Sequence, residues 1–203
     1  STTLIGMSGV GKSYTACKLA QWGWHNYSCD YLIGTRYLRE AVQSDGVMSP
    51  DNIANLSDFV GKIGSTAKGG GGLEEFRRRQ RLYYEAEHAV LRDIGEGIAV
   101  ATREGKSFVN DSSGSLCEIE DEAVLARAGE KTLFVYLKAG EEDHPKILER
   151  AIQYPKPLYF PPAFFDANLK EYLEQFDITN AQDINPEAFL SWVFPRLFQS
   201  RLP

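Results

Sequence analysis

Near its amino end the chain carries a pattern typical of phosphate binding, Gly6-Met7-Ser8-Gly9-Val10-Gly11-Lys12-Ser13. It matches G-x-x-x-x-G-K-[ST] at every specified position. The glycines let the backbone curl so that its N–H groups point at phosphate oxygens, and Lys12 adds a positive charge for the outer phosphates. A serine hydroxyl is a suitable Mg²⁺ ligand. We therefore expect ATP and Mg²⁺ as cofactors, held by Gly6, Ser8, Gly9, Val10, Gly11, Lys12, Ser13 and Tyr14.

The elements around this loop have the order that the pattern requires. Residues 2–5 are β-branched or apolar and predict a strand, and residues 12–22 have apolar side chains at helical spacing before Gly23. Further strands are predicted at 26–29, 107–110, 132–137 and 177–179, and the continuous apolar run at 132–137 favours a central position. Helices are predicted at 31–42, 52–63, 73–94, 118–128, 141–153, 167–176 and 186–199, the last one capped by Asn185.

Alternating strands and helices predict an α/β protein in which a parallel sheet is covered by helices on both faces, the three-layer architecture of P-loop proteins. Ligands of such sheets bind beyond the carboxyl ends of the strands. Asp30 follows the second strand and Asp111 ends the third, so both should lie near the phosphate loop. Asp30 is a candidate substrate ligand and general base, or else a helix cap. Asp111 is a candidate Mg²⁺ ligand together with Ser13, or else the cap of a turn.

Three consecutive arginines, Arg77, Arg78 and Arg79, cannot all point the same way on a helix, because successive residues are turned by about 100°. One of them directed at the pocket would hold an anionic substrate group with two hydrogen bonds. The glycine-rich segment 64–72 predicts a mobile loop, either over a substrate pocket or as a plain surface connection.

Composition limits the other classes of function. A length of 203 residues fits one domain spanning 1–203, and the net charge of −6 argues against nucleic acid or an anionic membrane as the main partner. No apolar run approaches the ~20 residues that cross a bilayer. The three cysteines form no C-x-x-C pair. We expect a cytoplasmic protein, a monomer or a weak homodimer, whose partner is a small molecule.

With these residues placed, the chain resembles the shikimate kinase family of small P-loop kinases. The resemblance rests on the phosphate loop, on Asp30, on the pair Phe76-Arg77, on Asp111-Ser112-Ser113-Gly114 in place of a glycine triplet, and on Lys156-Pro157-Leu158 in place of the family's lid motif. It implies a nucleoside-monophosphate-kinase-like fold with a substrate-binding helical region at about 31–95 and a lid at about 150–166. It further implies ATP-dependent phosphoryl transfer to a hydroxyl. The implied catalytic residues are Lys12, Asp30 and Lys156, the implied substrate ligands are Asp30, Arg77, Ser113 and Gly114, and Arg150 contacts the nucleotide.

The chain also departs from the family's pattern. Ser28 and Gln80 stand where the family has acidic residues, and Lys156 stands where it has an arginine. These departures favour another hydroxylated or anionic metabolite over shikimate. Two alternatives remain open: a nucleotide-binding regulator with weak ATPase activity, and a nucleoside or nucleotide kinase. The second would need an arginine-rich lid, and residues 154–165 contain one cation.

Overall fold

Four parallel strands form the centre of the protein in the computed structural model, which describes residues 1–42, 53–153 and 159–201. The strands lie in the order β2-β3-β1-β4. Their bounds are β1 Thr2–Ile5, β2 His25–Ser28, β3 Phe108–Asp111 and β4 Leu133–Tyr136. The prediction of an α/β fold with a parallel sheet is therefore confirmed.

Helices follow each strand and account for most of the described chain. Their bounds are α1 Lys12–Gln21, α2 Cys29–Leu32, α3 Ala54–Val60, α4 Leu73–Arg92, α5 Ile94–Arg103, α6 Glu122–Lys131, α7 His144–Gln153, α8 Pro162–Gln175 and α9 Pro186–Ser200. Within the described ranges, none of them combines the length and the apolar character needed to cross a bilayer.

The two faces of the sheet pack against different helices, because side chains alternate along a strand. On one face, Ala16 of α1 packs with Leu4 and Val109 in a small buried cluster. On the other face, Tyr27 and Phe108 belong to a larger cluster that includes side chains of α4 and α5. Helices thus cover the sheet on both sides, as the predicted three-layer architecture requires.

The strand register brings the ends of three strands together. Leu4 of β1 is the partner of Asp111 in β3, and Asp111 is in turn the partner of Ser28 in β2. The loop after β1, the start of α2 after β2 and the end of β3 therefore meet at the carboxyl edge of the sheet. The predicted convergence of these segments is confirmed.

A second apolar core lies around the last two helices. It includes Phe165 and Tyr172 of α8 and Phe189 and Val193 of α9, which are joined by Phe76 from α4. Asn185 caps α9, and its side-chain oxygen accepts hydrogen bonds from the backbone N–H groups of Glu187 and Ala188. The predicted start of this helix is confirmed.

Several predicted elements differ from the structure. The strand predicted at 177–179 is absent, because Asp177 adopts a left-handed conformation (φ 52°) and the Ile178 N–H bonds back to the Leu173 carbonyl, which closes α8. β4 lies at the edge of the described sheet, and Leu133 is 69% exposed, so its predicted central position is wrong.

Other differences concern helix bounds. The helix predicted at 31–42 is α2 followed by a π-helical turn that ends at Tyr37. The helix predicted at 118–128 starts only at Glu122, where Asp121 caps it, and it continues past Gly129. The helix predicted at 73–94 ends at Arg92, and α5, which was not predicted, follows it. α8 starts at Pro162, five residues before the predicted start at 167.

The glycine-rich segment 64–72 is a closed turn, although its sequence predicts a mobile loop. The N–H of Gly64 bonds to the Gly71 carbonyl, and the N–H of Gly70 bonds to the Ser65 carbonyl. A Cβ on Gly70 would lie 2.6 Å from the Gly64 carbonyl carbon, and one on Gly64 would lie 2.5 Å from the Ile184 oxygen. Gly64 and Gly70 are thus required by close backbone packing, which the residue types alone did not reveal.

Candidate functional site

The loop between β1 and α1 has the backbone shape that its glycines permit. Gly6, Gly9 and Gly11 all have positive φ angles, of 142°, 89° and 98°. A Cβ on Gly6 would lie 2.5 Å from the Leu137 carbonyl oxygen, and one on Gly9 would lie 3.0 Å from an Ile147 methyl group. Side chains at either position would displace the loop, so this curled shape depends on glycine. α1 begins directly after Gly11, which places the positive end of the helix dipole at the loop.

Lys12 is buried within the loop that it follows. Its side chain is only 6% exposed, and Nζ donates hydrogen bonds to the carbonyls of Gly6 (2.6 Å) and Met7 (3.1 Å). The ammonium group is therefore held at the centre of the loop by oxygen acceptors. Phosphate oxygens can replace those carbonyls as acceptors without moving the charge far.

A cavity of about 130 Å³ opens against this loop. Most of the residues predicted to bind the phosphates and the substrate line it together. The lining residues are Ser8, Gly9, Gly11, Lys12, Ser13, Tyr14, Asp30, Ser112 and Gly114. We call it the phosphate-loop cavity. Two residues predicted to bind the phosphates do not line this cavity. Gly6 packs against the Leu137 carbonyl, and Val10 borders a neighbouring cavity.

Asp30 lies in the first turn of α2 and reaches the phosphate-loop cavity from the β2 side of the sheet. The hydroxyl of Tyr83 in α4 donates a hydrogen bond to Asp30 Oδ1 at 3.3 Å. Asp30 is half-buried, whereas Tyr83 is 1% exposed. A buried tyrosine therefore holds a carboxylate whose other side meets the cavity.

The segment 112–115 forms the opposite wall. Gly114 packs on the phosphate loop so closely that a Cβ there would lie 3.3 Å from the Ser8 Cβ. The Ser112 hydroxyl donates to the Leu4 carbonyl (2.6 Å), which ties this wall to β1. Ser113, predicted as a substrate ligand, does not line the cavity: it is 4% exposed and its hydroxyl donates to Glu87. Its neighbour Ser112 lines the cavity instead.

Glu87 is a buried carboxyl group that the sequence analysis missed. It is 1% exposed, and its Oε1 accepts hydrogen bonds from the hydroxyls of Ser113 and Ser115, the latter at 2.6 Å. Burial raises the pKa of Glu87 to about 7, the two serine hydroxyls act in the opposite direction, and the nearby charge of Asp30 raises it further. The sequence does indicate that Glu87 is buried, since it follows Tyr83 by four residues and precedes Val90 by three and so lies on the apolar side of the helix.

Asp111 ends β3 and is buried, with 7% exposure, but it does not line the phosphate-loop cavity. Ser13, the other predicted metal ligand, does line it. Among the described residues, no three histidine, cysteine, aspartate or glutamate side chains come together as a metal-binding group. A magnesium site here would thus depend on few protein oxygens, which is usual for this ion.

Arg77 lies apart from the phosphate-loop cavity. Its guanidinium donates to Asp166 Oδ1 at 2.8 Å, and it lines a separate cavity of about 470 Å³. That cavity also contains the aromatic rings of Phe76, Tyr84, Tyr159, Phe160 and Phe165. The other two arginines of the triplet, Arg78 and Arg79, both pair with Glu75. The structure therefore does not bring Arg77 together with Asp30.

A larger cavity borders the other side of the phosphate loop. It has a volume of about 570 Å³ and is lined by Met7, Val10, Tyr136, Leu137, Lys138, Ala139, Gly140, Glu141, His144 and Gln199. Its size falls in the range of small-molecule pockets. Two lid residues predicted near this end of the fold are not placed by the structure: Lys156 lies outside the described residues, and of Arg150 only the backbone, within α7, is described.

No family model and no curated protein matches the chain. The chemistry of the site therefore has to follow from its own residues. Those residues combine a curled glycine loop, a buried lysine, a serine hydroxyl and one aspartate around a single cavity. Such an arrangement can bind phosphate groups and place a carboxylate beside them.

Proposed function

We propose that this protein is an ATP-dependent kinase that transfers the γ-phosphoryl group to a hydroxyl of a small metabolite. The observation that supports this proposal is that Asp30 lines the same cavity as Lys12 and Ser13. A carboxylate beside a phosphate site weakens anion binding by repulsion, so its presence needs another role. Orienting a hydroxyl group and accepting its proton is the role that a carboxylate fills in phosphoryl transfer.

The nucleotide would bind across the phosphate loop. The phosphates would accept hydrogen bonds from the loop N–H groups and from Lys12, which would exchange the carbonyls of Gly6 and Met7 for phosphate oxygens. The base and ribose would occupy the cavity on the other side of the loop, beside Met7 and Val10. The resemblance to the shikimate kinase family and the helix-covered parallel sheet agree with a P-loop fold of this kind.

Mg²⁺ would be held by Ser13, which lines the cavity, and by Asp111, which directly precedes the cavity-lining Ser112 at the end of β3. When bound, it would neutralise part of the phosphate charge. Both side chains offer the hard oxygen ligands that this ion prefers. The acceptor would lie between Asp30 and the wall formed by Ser112 and Gly114. Its hydroxyl oxygen forms the new bond to the γ-phosphorus, the bond from that phosphorus to ADP breaks, and the proton passes to Asp30.

The decisive experiment is an ADP-release assay with ATP, Mg²⁺ and a panel of hydroxy acids and sugars. Asp30→Asn should lower acceptor-dependent turnover by about 100-fold or more, because the proton acceptor is lost, while ATP affinity stays within about twofold. Asp58→Asn, an exposed aspartate of α3, is the matched control and should behave as the wild type. Equal losses of turnover and ATP affinity in Asp30→Asn would contradict the proposed role of Asp30.

A second candidate function is ATP hydrolysis without an acceptor, as in a nucleotide-dependent regulator. It is favoured by the small number of cations at the cavity. Among the described residues that line the cavity, Lys12 is the only cation, and Arg77, the predicted ligand of an anionic substrate, pairs with Asp166 elsewhere. ATP hydrolysis that no member of the panel accelerates would support this alternative over the kinase.

A further inference from the structure

α4 presents two buried polar side chains, one helical turn apart, toward the two walls of the phosphate-loop cavity. Tyr83 and Glu87 are each 1% exposed. Tyr83 bonds to Asp30 on one wall, and Glu87 bonds to Ser113 and Ser115, which flank Gly114 on the other. Burying a polar group costs free energy unless it is hydrogen-bonded. This face of α4 therefore carries polar groups that are bonded to the cavity walls, in addition to its apolar core residues.

The same side chains form a continuous chain of hydrogen-bonding groups. The Ser115 hydroxyl donates to Glu87 Oε1 at 2.6 Å. It also interacts with the Tyr83 hydroxyl: desolvation raises the pKa of this buried tyrosine, and Ser115 acts in the opposite direction. Tyr83 in turn donates to Asp30 Oδ1 at 3.3 Å. The buried carboxyl of Glu87 is thereby connected to the carboxylate at the cavity through two hydroxyl groups.

The direction of this chain depends on whether Glu87 carries a proton. A serine hydroxyl has one hydrogen to donate. When Glu87 is ionised, Ser115 donates to it and has no hydrogen left for Tyr83. When Glu87 is protonated, it donates to Ser115, which then donates to Tyr83, and every hydrogen bond points toward Asp30. The two protonation states therefore support Asp30 differently.

The surroundings of Glu87 favour its protonated state more than water does. Its Oε2 is buried and makes no hydrogen bond within the described part of the chain. The titratable groups that interact with it are Asp30 and Cys29 from α2, Tyr83 from its own helix, Tyr159, and Arg201 at the carboxyl end. Burial and the charge of Asp30 raise its pKa to about 7, against the effects of the two serines and Arg201. Glu87 therefore gains or loses its proton as the pH changes around 7.

We propose that protonated Glu87 is a positioning residue that, through Ser115 and Tyr83, directs hydrogen bonds to Asp30 and so holds its carboxylate toward the acceptor hydroxyl. This inference rests on the proposed kinase function. Glu87 touches neither the cavity nor the reacting atoms, so it acts on turnover and not on nucleotide binding.

Glu87→Gln tests the protonated state, because a glutamine amide donates to Ser115 at every pH. Wild-type kcat should fall as pH rises from about 6.5 to about 8.5, whereas the variant should keep kcat within about threefold of the wild type at the lower pH and show no fall. Loss of turnover at every pH, or an unchanged pH profile, would overturn the proposal.

Tyr83→Phe tests the connection to Asp30. It should lower kcat by about tenfold and leave ATP affinity unchanged, because one hydrogen bond to a charged group is lost. The matched control is Tyr37→Phe, which removes a similar bond from a tyrosine to Asp93 away from the cavity and should leave the pH profile unchanged. A Tyr83→Phe enzyme with wild-type kcat would overturn the proposal.

Infrared spectroscopy separates this inference from the kinase proposal, because it needs no turnover. The wild-type protein should show the carbonyl band of a buried carboxylic acid that disappears as pH rises through about 7, and Glu87→Gln should lack it. Tyr83→Phe should shift the midpoint of that change, since Tyr83 is part of the chain. If the wild type phosphorylates nothing but shows these bands, the kinase proposal fails alone. Absence of the band, or an unshifted midpoint in Tyr83→Phe, overturns the hydrogen-bonded chain itself.

Discussion

Asp30 and Glu87 are two carboxyl groups near the phosphate loop that lie in different surroundings. Asp30 is half-exposed on the wall of the cavity, while Glu87 is enclosed by α4 and the segment 112–115. Desolvation penalises the charged form of a buried acid, so Glu87 keeps its proton to a higher pH than an exposed glutamate does. A pair of acids separated in this way can divide the tasks of accepting and holding a proton.

The raised pKa of Glu87 makes stability depend on pH. The unfolded chain loses this proton near the ordinary value of 4.5, and the folded protein keeps it until about pH 7. The stability that protonation contributes is therefore complete below pH 4.5 and is lost as pH rises to 7. Between about pH 5.5 and about pH 8, the wild type should lose roughly 2 kcal/mol more unfolding free energy than Glu87→Gln. Urea denaturation of both proteins at the two pH values measures this, and parallel losses would contradict it.

At the scale of single residues, the sequence was sufficient to place the phosphate loop and Asp30 at one cavity, because both follow a strand of the same parallel sheet. It was not sufficient for Ser113 and Glu87. The direction of a side chain just beyond a strand end changes from one residue to the next, so Ser112 faces the cavity and Ser113 faces Glu87. A glutamate on an apolar helix face is visible in the sequence, but its serine partners lie 26 and 28 residues away.

At the scale of the elements, α5 lies close against the sheet at Gly97. A Cβ at this position would lie 2.4 Å from the Tyr27 ring and 3.0 Å from the Phe108 ring, both of which are buried. The helix can cover β2 and β3 only because this position has no side chain. The fit explains why a helix with glycine at its centre, which has low intrinsic helix propensity, forms here.

Gly97→Ala should therefore destabilise the protein by about 1–3 kcal/mol, the usual effect of overpacking a core. Gly129→Ala in α6 is the matched control, since a Cβ there meets no atom within 4 Å. That substitution should be neutral or stabilise by up to about 1 kcal/mol through helix propensity. Urea unfolding of both variants gives the comparison, and equal effects would show that the contact with Tyr27 is unimportant.

The types of most elements could be predicted, but several ends and one element could not. Apolar periodicity located α1, α4 and the strands of the sheet. It also suggested a strand at 177–179, where a left-handed Asp177 closes α8 instead. Helix closure is decided by one backbone angle and two hydrogen bonds, which leave little trace in the order of apolar residues.

At the scale of the whole molecule, the phosphate loop lies between the sheet and α7, while the second apolar core lies around α8 and α9. A ligand that binds only the folded protein stabilises all of it by mass action. Nucleotide binding should therefore be visible in global unfolding.

ATP with Mg²⁺ at about 100 times its Kd should add roughly 2.7 kcal/mol of stability, which corresponds to a rise in Tm of about 5–10 °C for a chain of this length. Lys12→Met should abolish this rise, because it removes the buried charge of the loop. Lys18→Met, which changes an exposed lysine on the same helix, should retain it. Thermal unfolding with and without nucleotide measures the shift. A full shift in Lys12→Met would exclude this loop as the nucleotide site.

The close contact between Gly6 and the carbonyl of Leu137 has a thermodynamic consequence for ligand binding. The Leu137 N–H bonds to the Ile5 carbonyl at 2.8 Å, which fixes the residue after β4 against Gly6, the first residue of the loop. At Gly9, the side chain of Ile147 in α7 packs against the loop. Contacts with β4 and α7 thus fix the curved shape of the loop, and its conformational entropy is lost during folding. Association then carries little ordering cost, and the heat of phosphate binding should report mainly the exchange of hydrogen-bond acceptors at Lys12.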